Sequence, residues 1–183
     1  LYHATGERRY FELARYFGIS ELLDATSAPR VWTMANEQLQ GTELSARGIL
    51  ARFHVRVVGT TDDPADSLEH HERIRAAKLP TRVVPTFRPD RALDVHDPPA
   101  YGAWLDRLSA VSNVAITRLA DLVEALARRH QAFHDLGGRL SDHGLAQCPS
   151  SPCSDADAAR IFDAARAGRA ASPDDAVRFA SYL

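Results

Sequence analysis

The fold class is decided by Val55-Arg56-Val57-Val58-Gly59-Thr60-Thr61-Asp62-Asp63-Pro64-Ala65-Asp66-Ser67-Leu68-Glu69-His70-His71. Its β-branched valines, followed by Gly and Thr, predict a short strand that is buried on both faces, as in a parallel sheet. Asp66, with Glu69 three residues later, predicts the capping box that opens a helix. Strand, polar loop and helix in this order indicate an α/β fold. The loop lies at the strand end where such folds carry their chemistry.

A second unit of the same layout runs through residues 81–90 and contains Arg88 between Phe87 and Pro89. Pro89 disfavours helical backbone at Arg88, so the guanidinium is expected on a stiff, extended chain. A planar fork held in this way suits the capture of a carboxylate or phosphate through two parallel hydrogen bonds. The alternative is an ordinary salt bridge from Arg88 to a nearby aspartate, Asp90 or Asp94.

A third unit begins after Gly137-Gly138, where a predicted short strand leads to Asp142, His143 and Gly144. A carboxylate beside an imidazole at a strand end can orient a tautomer, coordinate a metal or transfer a proton. The alternative is a capping Asp with a structural His. Because several strand-end loops carry such groups, as they do in barrel active sites, the pattern favours a site that includes Asp142 and His143.

Composition excludes several classes of function. A chain of 183 residues is long enough to form one well-buried core. It contains 22 Lys and Arg and 24 Asp and Glu, which gives a formal charge of −2, so there is no excess of basic residues that would indicate binding to nucleic acid. No apolar run has membrane-spanning length and no signal peptide opens the chain, so we expect a soluble, cytoplasmic protein. Cys148 and Cys153 are a weak zinc signal and form no disulfide framework. His130 and His134 fit a solvated helix face better than a metal site.

The chain is predicted to contain three segments. Residues 1–54 carry helical patterns only, residues 55–150 form a partial barrel with three strand-loop-helix units, and residues 151–183 form an accessory helical segment. Both ends look cut, so we expect a piece of a larger protein, with a processed or tagged small domain as the alternative. Further helices are predicted to start at Ser27, Ser45, Ser154 and Ser172 and to cover residues 100–111 and 117–136. Three of them have a predicted apolar face. These faces contain Val31, Trp32 and Leu39 in the helix from Ser27, Tyr101, Trp104, Leu105 and Leu108 in 100–111, and Leu119, Leu122, Val123, Leu126 and Phe133 in 117–136.

Three ordered motifs carry a resemblance to a known family. They are Gly59-Thr60-Thr61-Asp62-Asp63-Pro64, Pro85-Thr86-Phe87-Arg88-Pro89-Asp90 and Ser141-Asp142-His143-Gly144, and together they resemble uronate isomerase, the glucuronate isomerase family of the amidohydrolase superfamily. The similarity covers nearly the whole chain. Phe87 stands where a Trp is common in the family and His70 where a Tyr is common.

The resemblance implies a distorted (β/α)₈ barrel of the TIM type that interconverts D-glucuronate with D-fructuronate and D-galacturonate with D-tagaturonate. The reaction is an aldose-to-ketose shift through a cis-enediol, which needs a base and a group that stabilises charge on the C1 and C2 oxygens. By the same resemblance, Arg88 binds the substrate carboxylate and His143 lies near the metal and the sugar hydroxyls. Together with these two, the strand-end loops provide Thr61, Asp62 and Asp63 as candidates for substrate binding and Asp142 with His143 as candidates for catalysis.

One divalent metal, usually zinc, is also implied, but its principal ligands in the family lie on a His-x-His motif and on a late Asp. No His-x-His occurs in these 183 residues, so no metal ligand is assigned to the chain. We therefore expect the chain alone to be inactive and to bind no zinc tightly, and the full-length protein to be a homo-oligomer that acts on a small hexuronate. The alternatives are a metal-dependent hydrolase of the same superfamily and a non-catalytic interaction domain.

Overall fold

The computed structural model describes residues 7–145 and 148–183, with side chains from residue 11 onward. The chain divides into two compact units, Leu1–Arg56 and Val57–Leu183. The first is helical and the second is α/β, with a small parallel sheet, five α-helices and one short 3₁₀ helix among the described residues. No helix in these residues is both long enough and apolar enough to span a membrane.

The first unit contains helices α1 (Glu7–Phe17), α2 (Ala28–Leu39) and α3 (Ala46–Arg52). Gly18, with φ of 69°, ends α1, as expected for a left-handed C-cap. Ser45 caps α3 by accepting a hydrogen bond from the Gly48 amide at 3.1 Å. The predicted buried face of α2 is wrong in part: Val31 is buried, but Trp32 is 73% exposed. Trp32 lines an apolar groove between α1 and α2, together with Leu13 and Phe17 of α1.

The second unit begins with strands β1 (Val57–Gly59) and β2 (Arg82–Val84), which pair in parallel with Val58 opposite Val83. The parallel register continues past both strands, because the Asp62 amide donates to the Thr86 carbonyl at 3.1 Å. A single parallel bridge then joins Phe87 to Ser141. The predicted third strand is therefore reduced to one bridge. The chain segment that contains β2 and Phe87 lies between the segment of β1 and the segment of Ser141.

Two local expectations for the opening stretch are wrong. Val57 is 52% exposed instead of buried on both faces, and among the described residues β1 pairs with β2 on one side only. Helix α4 (Glu69–Ala76) starts later than predicted, with Leu68 at its N-cap in a left-handed conformation. Asp66 does not cap this helix, because its carboxylate accepts the Asp63 amide in the preceding turn at 2.9 Å.

The core of the second unit is formed by α5 (Pro98–Ser112), α6 (Leu119–Asp135), α7 (Asp155–Arg166) and α8 (Pro173–Tyr182). Ser154 and Ser172 cap α7 and α8, as predicted, by accepting amide hydrogen bonds at 3.2 Å. The predicted apolar face of α5 is confirmed, whereas Val123 of α6 is exposed. The core side chains are Tyr101, Trp104, Leu105 and Leu108 of α5, Leu119, Leu122 and Ala125 of α6, Ala158, Ile161, Phe162 and Ala165 of α7, and Phe179 of α8.

Candidate active site at the ends of the parallel segments

The ends of the three parallel segments meet along one edge, so the polar loops that follow them are neighbours. The chain reaches this edge for the third time after α6, through Gly137 with φ of 100° and then Gly138. A Cβ on Gly138 would lie 2.6 Å from the Pro85 carbonyl oxygen, so only glycine permits this close approach to the segment of β2. The approach brings Asp142 and His143 beside the loop that carries Arg88.

Arg88 pairs with Asp142, a partner 54 residues away and neither of the two aspartates expected from the sequence. Its Nε donates to Asp142 Oδ1 at 3.0 Å and its Nη2 donates to Oδ2, a bidentate arrangement. The hydrogen bond from Arg88 lowers the pKa of Asp142, and the same bond raises the pKa of Arg88. Both side chains stay partly exposed, at 35% and 41%. One edge of the guanidinium is thus bound, whereas Nη1 donates to no acceptor among the described residues.

His143 pairs with Asp90 instead of its sequence neighbour. Its Nδ1 lies 2.7 Å from Asp90 Oδ1, while the Gly144 amide donates to Asp90 Oδ2 at 2.6 Å. The imidazole is half exposed. We call the two pairs, Arg88 with Asp142 and Asp90 with His143, the strand-end clamp, because they join the second polar loop to the third. Asp90 was considered in the sequence only as a partner of Arg88.

The three candidates on the first loop are placed differently. Thr61 is exposed. Asp62 Oδ2 accepts the Thr60 hydroxyl at 2.6 Å and the Thr86 amide at 3.3 Å, so this carboxylate fixes the edge between the first two segments. Asp63 Oδ1 accepts the Trp104 indole N–H at 2.7 Å and the amide of Ala65 at 2.8 Å. Asp62 and Asp63 therefore already have partners within the protein, and their role toward substrate stays a prediction.

Two helices hold the first loop in place. Arg129 of α6 is only 8% exposed and donates through Nε to the Pro64 carbonyl and through Nη2 to the Asp66 carbonyl, both at 2.8 Å. Burial lowers the pKa of Arg129. Together with the Trp104 hydrogen bond to Asp63, these contacts are called the loop anchor. The sequence did contain a signal for Arg129, since it falls on the apolar stripe of α6 between Leu122 and Phe133, where a cation needs buried acceptors.

A second polar network connects the start of the first loop to helix α4. The Thr60 hydroxyl lies 2.8 Å from Nε2 of His71, a buried residue of α4. The same hydroxyl donates to Asp62, so Thr60 links the strand end to the helix that follows it. His71 Nδ1 is buried without a hydrogen-bond partner among the described residues. The arrangement is a structural link within one strand-loop-helix unit.

A cavity of about 720 Å³ adjoins the clamp on the side of α6. His143, His130, Phe87 and Pro89 contribute to a mainly apolar lining, which contains neither Arg88 nor Asp142. His130 packs edge-on against the Phe87 ring with centroids 5.3 Å apart, so this helix histidine has a packing contact. A sugar acid needs polar partners, so the exposed edge of the clamp is the better candidate for substrate than this cavity.

In the described parts of the chain, no three His, Cys, Asp or Glu side chains lie close enough together to hold a metal ion. These residues do not by themselves fit a zinc centre, and the zinc expectation stays a prediction.

Comparison with known proteins identifies the family. The profile of the family described as glucuronate isomerase matches residues 4–183. Over all 183 residues the chain is 50% identical to the uronate isomerase of Opitutus terrae and 49% identical to that of Solibacter usitatus. The chain spans 38% of the length of each of these relatives.

Solved structures agree with the sequence comparison. A crystal structure of uronate isomerase from Thermotoga maritima matches 94% of this chain with a TM-score of 0.86 at 25% identity, and the match covers 38% of that chain. A crystal structure of glucuronate isomerase from Caulobacter crescentus matches 97% of this chain with a TM-score of 0.87 at 27% identity, over 37% of its own length. The resemblance seen in the three motifs is confirmed, and the chain belongs to the glucuronate isomerase family.

Proposed function

We propose that this chain forms part of a uronate isomerase, which interconverts D-glucuronate with D-fructuronate and D-galacturonate with D-tagaturonate. Family membership over residues 4–183 supports the reaction class. The observation that carries the proposal at the level of residues is the strand-end clamp. In this clamp a cation, Arg88, and a histidine, His143, lie on adjoining loops at one end of the parallel segments. The two groups suit a uronate, which has a carboxylate for the cation and reacting hydroxyls for the imidazole.

We further propose that the parallel arrangement continues into a distorted (β/α)₈ barrel. Two features support this extension. The segments of β1, β2 and Ser141 are parallel neighbours, and α4 follows the first while α5 and α6 follow the second. The chain also matches the Thermotoga maritima enzyme over 94% of its own length. In such a barrel, the loops that carry the clamp would lie on the catalytic face.

Arg88 is proposed to bind the substrate carboxylate through the edge that carries Nη1. The Nε and Nη2 edge is held by Asp142, which fixes the orientation of the guanidinium before substrate arrives. Asp142 therefore orients Arg88. This role differs from the sequence-based expectation that Asp142 acts on the neighbouring imidazole of His143. Bidentate binding of an anion stays possible, through Nη1 and the second N–H of Nη2 at the end of the guanidinium.

His143 is proposed to move a proton at the C1 and C2 oxygens of the open-chain sugar. In the forward direction a base takes the C2 proton, while the neutral imidazole takes the O2 proton and gives it to the C1 oxygen, so that the reaction passes through a cis-enediol. The base then returns its proton to C1, which yields the ketose. A half-exposed imidazole at the strand end can take and return a proton in such a sequence. A divalent metal, when bound, would supply polarisation of the carbonyl oxygen.

The test of this proposal is a chimera in which the 183 residues replace the matching segment of the Opitutus terrae uronate isomerase. We expect the chimera to form ketouronates from both D-glucuronate and D-galacturonate, measured by separating aldose and ketose. A chimera that folds, judged by circular dichroism, but forms neither ketouronate while the host enzyme is active would contradict the proposal. The isolated chain, assayed in parallel, is expected to form no ketouronate and to retain no zinc. The cytoplasmic location and the homo-oligomer stay predictions.

In the chimera, Arg88→Met is expected to raise KM and to lower kcat/KM by roughly 10- to 100-fold, because a charge-assisted contact to the substrate carboxylate is lost. Arg91→Met is the matched control, since Arg91 is an exposed cation three residues away and is expected to leave the kinetics unchanged. Equal kinetics for the two variants would remove Arg88 from the site.

A further inference from the structure

We propose that Asp90 is a positioning residue that holds His143 as the Nδ1–H tautomer, so that Nε2 is the ring nitrogen presented to substrate. The inference deepens the proposed function and rests on it for the identity of the substrate. Asp90 opens a short 3₁₀ helix, Asp90–Leu93, at the end of the second polar loop. Its carboxylate lies 2.7 Å from His143 Nδ1 across 53 residues of sequence.

The tautomer follows from the hydrogen-bond chemistry of the pair. An ionised carboxylate has acceptors only, so the hydrogen in the contact between Asp90 Oδ1 and His143 Nδ1 must belong to the imidazole. A neutral imidazole carries one N–H, and with that hydrogen on Nδ1 the lone pair is on Nε2. The nitrogen farther from Asp90 is therefore the proton acceptor.

The Asp90 carboxylate is itself held at both oxygens, which makes it a fixed partner. Oδ2 accepts the Gly144 amide at 2.6 Å while Oδ1 contacts the imidazole. A Cβ on Gly144 would lie 3.1 Å from Oδ2, so glycine permits this close approach. The carboxylate thus bonds to the side chain of one residue and to the backbone of the next, which constrains the plane of the ring.

The sequence neighbour Asp142 is already engaged elsewhere. Both of its oxygens accept hydrogen bonds from Arg88, so this carboxylate is committed to the guanidinium. The two acids of the strand-end clamp therefore divide the work, with Asp142 orienting the anion-binding Arg88 and Asp90 orienting the proton carrier His143. When Nε2 takes a proton, the negative charge of Asp90 stabilises the resulting imidazolium.

The tautomer can be measured without any assay of activity. We suggest long-range ¹H–¹⁵N correlation spectra of the ¹⁵N-histidine-labelled 183-residue chain at a pH where the imidazoles are neutral. His143→Gln assigns the signals by their loss from the spectrum of the eight histidines. We expect His143 to show a protonated Nδ1 and an unprotonated Nε2. The opposite pattern in the wild-type chain would overturn the proposal, whatever the variants do.

Two variants separate Asp90 from Asp142. In Asp90→Ala we expect the protonated nitrogen of His143 to change from Nδ1 to Nε2, because the acceptor for Nδ1–H is gone. In Asp142→Asn the tautomer should remain Nδ1–H. A tautomer that changes in Asp142→Asn and persists in Asp90→Ala would overturn the assignment. The backbone amide spectrum of each variant shows whether the chain is folded, and the wild-type measurement decides the proposal if either variant is not.

Kinetics in the chimera give a second readout that a purely structural role would not produce. Asp90→Ala should lower kcat by roughly 10²-fold with KM changed by less than about threefold, because proton transfer is impaired while the carboxylate contact at Arg88 remains. A rise in KM at unchanged kcat would overturn the positioning role. An inactive wild-type chimera would contradict the proposed function, but it would leave the tautomer result as a separate finding about the chain.

Discussion

The strand-end clamp and the loop anchor are both built from long-range polar contacts, but they differ in burial and in what they leave free. In the loop anchor, the buried Arg129 and Trp104 hold a turn, and both side chains donate their hydrogen bonds to acceptors within the protein. The clamp is partly exposed, and within the part of the chain that the structure describes, Arg88 Nη1 and His143 Nε2 have no hydrogen-bond partner. Polar motif residues at a strand end can thus either stabilise the fold or remain available to bind a ligand. Their hydrogen-bond partners within the protein distinguish the two roles.

The strongest test of this difference is Arg129→Met. The change leaves two loop carbonyls, those of Pro64 and Asp66, without their donor, so we expect the free energy of unfolding to fall by about 3 to 4 kcal/mol. Urea denaturation followed by the fluorescence of Trp104 measures this, in a Trp32→Phe background that removes the tryptophan of the other unit.

The control is Arg128→Met, the adjacent, exposed arginine of α6, which pairs with Glu124 on the surface and donates to the exposed Asn113 carbonyl at 3.2 Å. We expect this variant to lose less than about 1 kcal/mol. Equal losses for the two arginines would mean that the anchor contributes no more than an ordinary surface cation, and the proposed contrast with the clamp would fail.

Asp63 offers a second test, because the sequence predicts that it binds substrate, whereas in the structure it accepts the Trp104 hydrogen bond of the loop anchor. Asp63→Ala removes the acceptor for both the Trp104 indole and the Ala65 amide, and should cost about 2 kcal/mol of unfolding free energy. Asp63→Asn keeps an oxygen in the same place and should recover all but about 0.5 to 1 kcal/mol.

The same pair of variants, assayed in the chimera, decides whether Asp63 also binds substrate. A structural role predicts that Asp63→Asn has the KM of the unmodified chimera. If Asp63→Asn were as stable as the parent but had a KM raised tenfold or more, Asp63 would belong with Arg88 as a substrate ligand, and the division between anchor and clamp would have to be redrawn.

Sequence patterns predicted the parts of this fold that depend on neighbours in the chain. The parallel order of the strand-loop-helix units, the apolar face of α5 and the caps at Ser154 and Ser172 follow from periodicity and local hydrogen bonding. The helix start at Asp66 was wrong because the Asp63 amide competes for the same carboxylate. That competition depends on the turn geometry, which composition does not specify.

The candidate site was predictable in its position but not in its pairings. Arg88 and His143 were expected at strand ends, where the structure places them. Their partners lie 54 and 53 residues away, and no local rule indicates which carboxylate faces which base. The pairing follows from the parallel bridge between Phe87 and Ser141, because this register brings the residues after Phe87 beside the residues after Ser141. Pairing across such a distance is a tertiary property.

The smallest expected effect is the pH dependence of the ion pair in the clamp. Arg88 lowers the pKa of Asp142 below that of an unfolded Asp, which is about 3.9. A carboxyl whose pKa is lower in the folded state contributes stability above the unfolded pKa, and this contribution is lost as pH falls through the folded value. The difference in unfolding free energy between the parent and Arg88→Met should therefore be constant from pH 7 to pH 5 and shrink below about pH 4.

Urea denaturation at pH 7, 5, 4 and 3 measures this difference, with Arg107→Met, an exposed arginine of α5, as the control that should show no such change. Because both members of the pair are partly exposed, solvent screening keeps the effect small compared with the loss of the buried Arg129. A difference that persists unchanged to pH 3 would mean that Arg88 stabilises the loop by packing and not by its charge. The clamp would then resemble the anchor, and the distinction between the two regions would rest on exposure alone.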